Sequence, residues 1–209
     1  MAIAALSNFT VPLASDQSAS SQGLLMPKLK YRFRISFENF GVSGSTTELT
    51  KQVSDAARPS VKFADQKIEI YNSIIHYAGK PSWDPIAIKL RDDVTNQVTT
   101  LVGEQNQKQF DFFEQSSAAS AGDYKFTMRI EMLDGGNGTN TPTVLEAWVC
   151  YGCYIVSTNY TELKYSEQTP AMIDISIQFD NAVQLNPTNA IGSNKTVQTF
   201  PGGTTILGS

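Results

Sequence analysis

The chain has 209 residues, 41% of them hydrophobic, enough apolar side chain to give one large domain a sizeable core. Sixteen basic residues against 20 acidic ones give a formal charge of −4, which argues against a general nucleic-acid binder whose affinity comes from Lys and Arg on phosphates. Two cysteines are too few for a disulfide scaffold, and the single histidine, His76, removes most zinc and Ser-His-Asp schemes. No apolar run reaches the ~18 residues of a membrane helix. Met1 to Ala14 lacks the basic and long apolar regions of a secretory signal.

Residues 1–23 read as an N-terminal arm, because Ser15-Asp16-Gln17-Ser18-Ala19-Ser20-Ser21-Gln22-Gly23 has no apolar period and little to bury. Residues 24–183 carry the periodic segments and are predicted to form one β domain. Residues 184–209, rich in Asn, Thr, Gly and Pro, read as a C-terminal arm.

Inside the domain the period is two. Leu29, Tyr31, Phe33, Ile35 and Phe37 alternate with Lys28, Lys30, Arg32, Arg34, Ser36 and Glu38, which predicts a strand with one apolar and one charged face. Val61 and Phe63 are apolar at odd positions, Ile68 and Ile70 at even ones, so a bulge near Asp65-Gln66 must shift the parity. Asn72-Ser73 marks a hairpin tip, and Gly79-Lys80-Pro81-Ser82 has turn composition. Ile86, Ile88 and Leu90 alternate with Lys89 and Arg91. The one helical period follows. Asp93 serves as its cap, Val94, Val98, Leu101, Val102, Gln105, Gln109, Phe112 and Phe113 form its stripe, and Gln115 is its end.

Alternation returns at Tyr124, Phe126, Met128, Ile130 and Met132, and again at Ile173, Ile175, Ile177 and Phe179. Asp134-Gly135-Gly136-Asn137-Gly138 is turn chemistry without the strand-before, helix-after context of a phosphate loop. Val144 to Val156 is apolar on both faces, as in a strand covered on both sides. The expected fold is mainly β: two packed antiparallel sheets, a sandwich or barrel of about seven strands, with one helix over a face.

Little in the chain points to bond chemistry. Cys150-Tyr151-Gly152-Cys153 is a CxxC, but it lies in a strand-like run where positions three apart face opposite sides, so packing is its expected role. His76 sits between Ile75 and Tyr77 as a packed or interface histidine. Asp92-Asp93 at a helix start suit its dipole better than acid–base work. Asn137-Gly138-Thr139 and Asn159-Tyr160-Thr161 match glycosylation sequons by chance, and Trp83 and Trp148 suit either core or interface. No cofactor, metal or catalytic residue is expected.

The order of these segments carries a resemblance. Tyr31-Arg32-Phe33-Arg34-Ile35 is followed by Arg58-Pro59-Ser60-Val61-Lys62-Phe63 and Gly79-Lys80-Pro81-Ser82-Trp83-Asp84-Pro85-Ile86. Leu90-Arg91-Asp92-Asp93-Val94 leads into the helix, and Tyr151-Gly152-Cys153-Tyr154-Ile155-Val156-Ser157, Tyr165-Ser166 and Ile173 to Phe179 close the series. Over roughly residues 28–181 this order resembles the tail tube proteins of contractile-tailed bacteriophages, a T4 tail tube-like family related to type VI secretion and bacteriocin tubes. The resemblance implies hexameric rings that stack into an inner tube, a structural virion component assembled in the host cytoplasm. It also implies contact with sheath, baseplate or tube-initiator and tail-terminator proteins, and a lumen holding a tape measure protein and then genomic DNA. No membrane is involved.

Under that resemblance, inter-ring contacts are expected from the 41–60 loop, through Lys51, Asp55 and Arg58, and from the 72–84 hairpin region, through Asn72, His76 and Lys80. A conduit should not hold its cargo, so a neutral to acidic lumen is expected, with Glu69, Asp174 and Asp180 as lining candidates. The row Lys28, Lys30, Arg32, Arg34 then belongs on a solvated or sheath-facing surface, or against a neighbour's acids. Two other readings stand beside this one: the inner tube of an injection device that carries no DNA, and a monomeric β-sandwich binding or adhesion module.

Overall fold

In the computed structural model, residues 27–42, 45–135 and 142–186 are described in full, as is the backbone pairing of three short strands beyond them. The expected arm at 1–23, the turn residues 136–138 and residues 43–44 of the 41–60 loop lie outside the described residues. The chain divides into two units, Met1–Arg32 and Phe33–Ser209. In the first, Arg32 N–H donates to Leu29 O at 3.2 Å and the Arg32 guanidinium lies 5.5 Å from the Tyr31 ring centre. Residues 29–32, expected to open the first strand, are therefore turn and coil, and that strand begins at Phe33.

The second unit runs β1 (Phe33–Glu38), α1 (Thr47–Gln52), β2 (Val53–Ala56), β3 (Val61–Ile70), β4 (Ser73–Trp83), β5 (Ile86–Arg91), α2 (Gln97–Gln109), β6 (Phe110–Asp111) and β7 (Ser116–Ser117). It continues with α3 (Ala121–Tyr124), β8 (Phe126–Leu133), β9 (Val144–Tyr160), β10 (Met172–Gln178) and β11 (Asn181–Asn186). The main sheet has the order β1-β8-β9-β10-β5-β2, all antiparallel, and β11 adds to β9.

The 17-residue β9 belongs to both halves of this sheet. Its first part, to Cys153, pairs with β8; its last part, from Tyr154, pairs with β10. Gly152, at φ 66°, makes the switch, and a Cβ there would collide with the Asp180 side chain. The two halves face each other across one core. Ile35, Phe37, Phe126, Met128 and Ile130 come from one side, and Ile86, Ile88, Leu90, Ile173, Ile175 and Ile177 from the other. The expected mainly-β fold of two packed antiparallel sheets is what the structure has.

Helix α2 closes the side of this core with Val98, Leu101 and Val102. It is shorter than the stripe predicted. Asn96, at φ 58°, precedes it, so Asp93 does not open the helix, although its Oδ1 still accepts Gln97 N–H at 3.3 Å. Val94 is exposed ahead of the helix, and Phe112 and Phe113 are exposed beyond it in the β6–β7 turn. That turn is held by Asp111, whose Oδ1 accepts from Phe113 N and Glu114 N at 2.9 and 3.1 Å.

Gly79-Lys80-Pro81-Ser82, expected as a turn, is instead part of β4. The bulge lies opposite, between Phe63 and Asp65, where the expected parity shift occurs. A Cβ on Gly79 would sit 2.9 Å from Ala64 O, so the ribbon needs glycine there for close backbone approach. Pro81 is tolerated because a two-stranded ribbon leaves one hydrogen-bonding side of each strand free.

Candidate functional site: assembly surfaces

Strands β3 and β4 form a separate two-stranded ribbon. Tyr71 and Asn72 make its tip, with Tyr71 at φ 48°, one residue earlier than the predicted Asn72-Ser73. Trp83 anchors the base against Phe179, ring centres 5.4 Å apart, and Lys62 pairs with Asp84 at 2.9 Å. Beyond the base the ribbon lies on no core among the described residues, and every β3 residue is exposed. The register nevertheless sorts its side chains. Ile68 stands opposite Ile75, Gln66 opposite Tyr77 and Ile70 opposite Ser73, which makes one face apolar. The other face carries Asp65, Lys67, Glu69 and His76, with His76 Nδ1 at 3.1 Å from the Asp65 carboxylate. Ile68, Ile70, Ile75 and Tyr77 thus form an exposed apolar stripe on a ribbon that cannot bury it alone.

A second unsatisfied feature is the far end of β9. From Tyr154 onward it pairs with β10 alone among the described strands. Helix α2 partly covers the opposite edge with amides. Gln109 Nε2 donates to Ile155 O at 2.9 Å and its Oε1 accepts Ile155 N–H at 2.8 Å, as a neighbouring strand would. Asn106 Nδ2 donates to Thr158 Oγ1 at 3.1 Å. Gln105, fully buried, donates to Tyr124 O at 2.7 Å and accepts from Gly41 N at 3.0 Å. Beside this edge runs a groove of about 580 Å³, lined by Phe110, Phe112, Val156, Thr158 and Tyr160 among others.

The outward faces of the two half-sheets differ. On the β1–β8 side, Arg34 Nε and Arg129 Nε donate to opposite oxygens of Glu131 at 2.7 and 2.6 Å, and Ala147, Val149 and Leu185 are buried beside them as a second apolar cluster. The run from Val144 is therefore covered on both faces, as its composition predicts. On the other side, cross-strand partners Asp55, Lys89, Asp174 and Asn159 form a row over four strands, next to a row of Ala87, Ser176 and Ser157. Asp174 Oδ1 is shielded and has no hydrogen-bond donor among the described residues.

The structure scatters the sequence-predicted site residues. Lys51 pairs with Glu48 at 2.6 Å on α1, Asp55 faces Lys89, and Arg58 lies 4.0 Å from Glu146. Asn72, His76 and Lys80 share the ribbon, and Glu69 joins them there rather than Asp174. Asp180 follows β10 and pairs with Lys125 at 2.6 Å, a bond that raises the lysine's pKa. The three lining candidates thus fall on three different surfaces of one copy. Charge alone does not reveal the apolar stripe as a site; the parity of Ile68, Ile70, Ile75 and Tyr77 across a hairpin is its signal in the sequence.

The two cysteines do not face opposite sides. The left-handed Gly152 lets β9 bulge, and both thiols enter the main core, where Cys153 Sγ lies 3.3 Å from Cys150 O. Burial pushes the Cys150 thiol up from 9.0 to about 12 and Cys153 higher still. Such thiols are poor nucleophiles and poor ligands. Among the described residues, no three His, Cys, Asp or Glu side chains gather as a metal site.

No family model matches this sequence, and no curated protein does. Solved structures do. The chain is similar to the tube-terminating cap of the anti-feeding prophage, with a TM-score of 0.59 at 12% identity, over 81% of this chain and 98% of that one. It is similar to the sheath/tube terminator of the PVC extracellular contractile injection system, with a TM-score of 0.55 at 12% identity, over 78% of this chain and 99% of that one. A chain of the sheath–tube complex of that system matches with a TM-score of 0.53 at 12% identity, over 78% and 94%. At these identities the likeness establishes fold: this chain has the tail-tube-like fold of contractile-system tube and cap proteins.

Proposed function

We propose that this chain is a structural subunit of the inner tube of a contractile machine, and that its partner is first of all a second copy of itself. The carrying observation is the pair of unsatisfied strand features: a β9 end with no second strand partner among the described residues and only partial cover from α2 amides, and a ribbon with an exposed apolar stripe. An open sheet edge invites pairing, and a ring of identical copies uses it up. The ribbon leaves the sheet where β2 ends and β5 begins; the loop 161–171, with exposed Leu163 and Tyr165, leaves it at the other end of β9 and β10. Side-to-side closure through the β9 edge and end-to-end stacking through the ribbon use different surfaces. In this reading Asn72, His76 and Lys80 flank the stacking contact, with Lys51, Asp55 and Arg58 nearer the sheet.

The finer reading is the tail tube of a contractile phage: hexameric rings inside a sheath, between baseplate and terminator, filled by a tape measure protein and later crossed by DNA. It functions by assembly and conduction, without catalysis. A second reading, the tube or cap of an injection device without DNA, is favoured by the matched structures, which come from an anti-feeding prophage and an extracellular contractile injection system. Capsid and terminase genes beside the gene would select the phage.

The test is substitution of the stripe. Ile68→Asp with Ile75→Asp should leave a folded monomer, because both side chains are exposed, and should abolish tubes seen by negative-stain microscopy. Tubes of normal length from that variant would refute stacking through the ribbon.

A further inference from the structure

We infer that the outward face of β2, β5, β10 and the last part of β9 is the wall of the bore, and that its charges cancel within each copy so that a passing polyanion is not held. The inference rests on the ring assembly proposed above.

A bore wall must be wetted, free of covering chain, and low in relief. Of the two outward faces only one qualifies. The β1–β8 face buries Ala147, Val149 and Leu185 and clamps Glu131 between two arginines, so it is covered over β8, β9 and β11, with Arg34 exposed at its β1 margin. On the β5–β10 face, Asp55, Ala87, Lys89, Arg91, Ser157 and Asn159 are all exposed. Its middle row is alanine and two serines, which project little. The ribbon and the 161–171 loop both leave at the strand ends, so stacking through them keeps this face clear.

The charges follow the register. Asp55, Lys89 and Asp174 stand side by side across β2, β5 and β10, and Arg91 stands opposite Met172 one step along. Two carboxylates and two cations share this face, so its formal charge is zero. Closing β9 of one copy against the β2 side of the next would continue the row around the bore, each cation having a carboxylate within a strand spacing or two. Phosphate retention requires Lys or Arg free to displace counterions. Here the nearest competitor for Lys89 is always a carboxylate of the same row.

The test uses assembled tubes in two ways. A thiol placed by Ser176→Cys should react with a small maleimide but not with a bulky polymer maleimide; Thr100→Cys, on an exposed position of α2 away from the β9-edge groove, should react with both. The native cysteines are buried and give no background. Labelled single-stranded oligonucleotide should not sediment with wild-type tubes. It should sediment about tenfold more with the double variant Asp55→Asn, Asp174→Asn, and this gain should vanish with added salt. Ala87→Lys, which adds a cation without removing any contact, should act in the same direction. Equal labelling of Ser176→Cys by the bulky reagent in tubes would place this face outside and overturn the inference while leaving the tube reading intact. Oligonucleotide retention by wild-type tubes equal to that of the charge variants would overturn the cancellation. Absence of any tube would overturn both readings together.

Discussion

Strand β5 and the β3–β4 ribbon are neighbours in the chain and share one alternating pattern, yet their fates are opposite. Ile86, Ile88 and Leu90 go fully into the core, Leu90 at 0% exposure, while Ile75 on the ribbon stays 51% exposed. Alternation writes a strand with two different faces; it does not say where the apolar face finds its partner. β5 finds it in β10, α2 and the opposing half-sheet, within the same copy. The ribbon has no such partner among the described residues, and its stripe is the sign of a contact made by assembly.

The contrast is sharpest in truncation. Leu90→Ala or Ile88→Ala should cost about 2–5 kcal/mol, read by urea unfolding, because each leaves a cavity in a closed core. Ile75→Ala should shift monomer stability by less than about 0.5 kcal/mol, yet reduce tube length sharply. Equal stability losses at both sites would mean the ribbon is buried within the copy.

Smaller effects probe the places where the two half-sheets are joined. Gln109→Leu removes both partners of the Ile155 peptide groups and should cost about 1–3 kcal/mol by the same measurement. Gly152→Ala forces a side chain into left-handed backbone and against Asp180, and a loss of about 1–3 kcal/mol in thermal or urea unfolding is expected. A neutral result at either site would show that β9 switches sheets without their help.

The smallest effect at neutral pH comes from the thiols. Cys150 is raised in the folded state from 9.0 to about 12, so its contribution is fully present below pH 9, where both states are protonated. Stability should fall as pH rises from about 9 towards 12, since the unfolded chain then releases a proton that the folded chain keeps. A Cys150→Ala variant should show a shallower decline in melting temperature over that window. Thiol reagents should remain inert until unfolding.

Much of the fold was legible because burial leaves a two-residue period in β1, β5, β8 and β10, and a both-faces-apolar run in β9. Sequence pattern and structure part where a local signal has two physical meanings. Gly79-Lys80-Pro81-Ser82 has turn composition, but glycine also permits the close strand approach at Ala64, and proline survives in an isolated ribbon. The spacing of Cys150 and Cys153 predicts opposite faces only for a regular strand, and the left-handed Gly152 between them breaks that regularity. Gln105 and Gln109 fell on the predicted helical stripe, yet their role as hydrogen-bonding partners for Gly41, Tyr124 and Ile155 depends on residues 19 to 64 positions away in sequence. Charged candidates such as Glu69, Asp174 and Asp180 could be named but not grouped, because grouping requires the register between strands.

The most direct measurement is negative-stain microscopy of the purified protein over a range of concentrations. Annular particles with an open centre, lengthening into hollow cylinders as concentration rises, are the expected result. A population that stays as single copies at the highest concentration reached would contradict the claim that identical copies complete one another's strand borders.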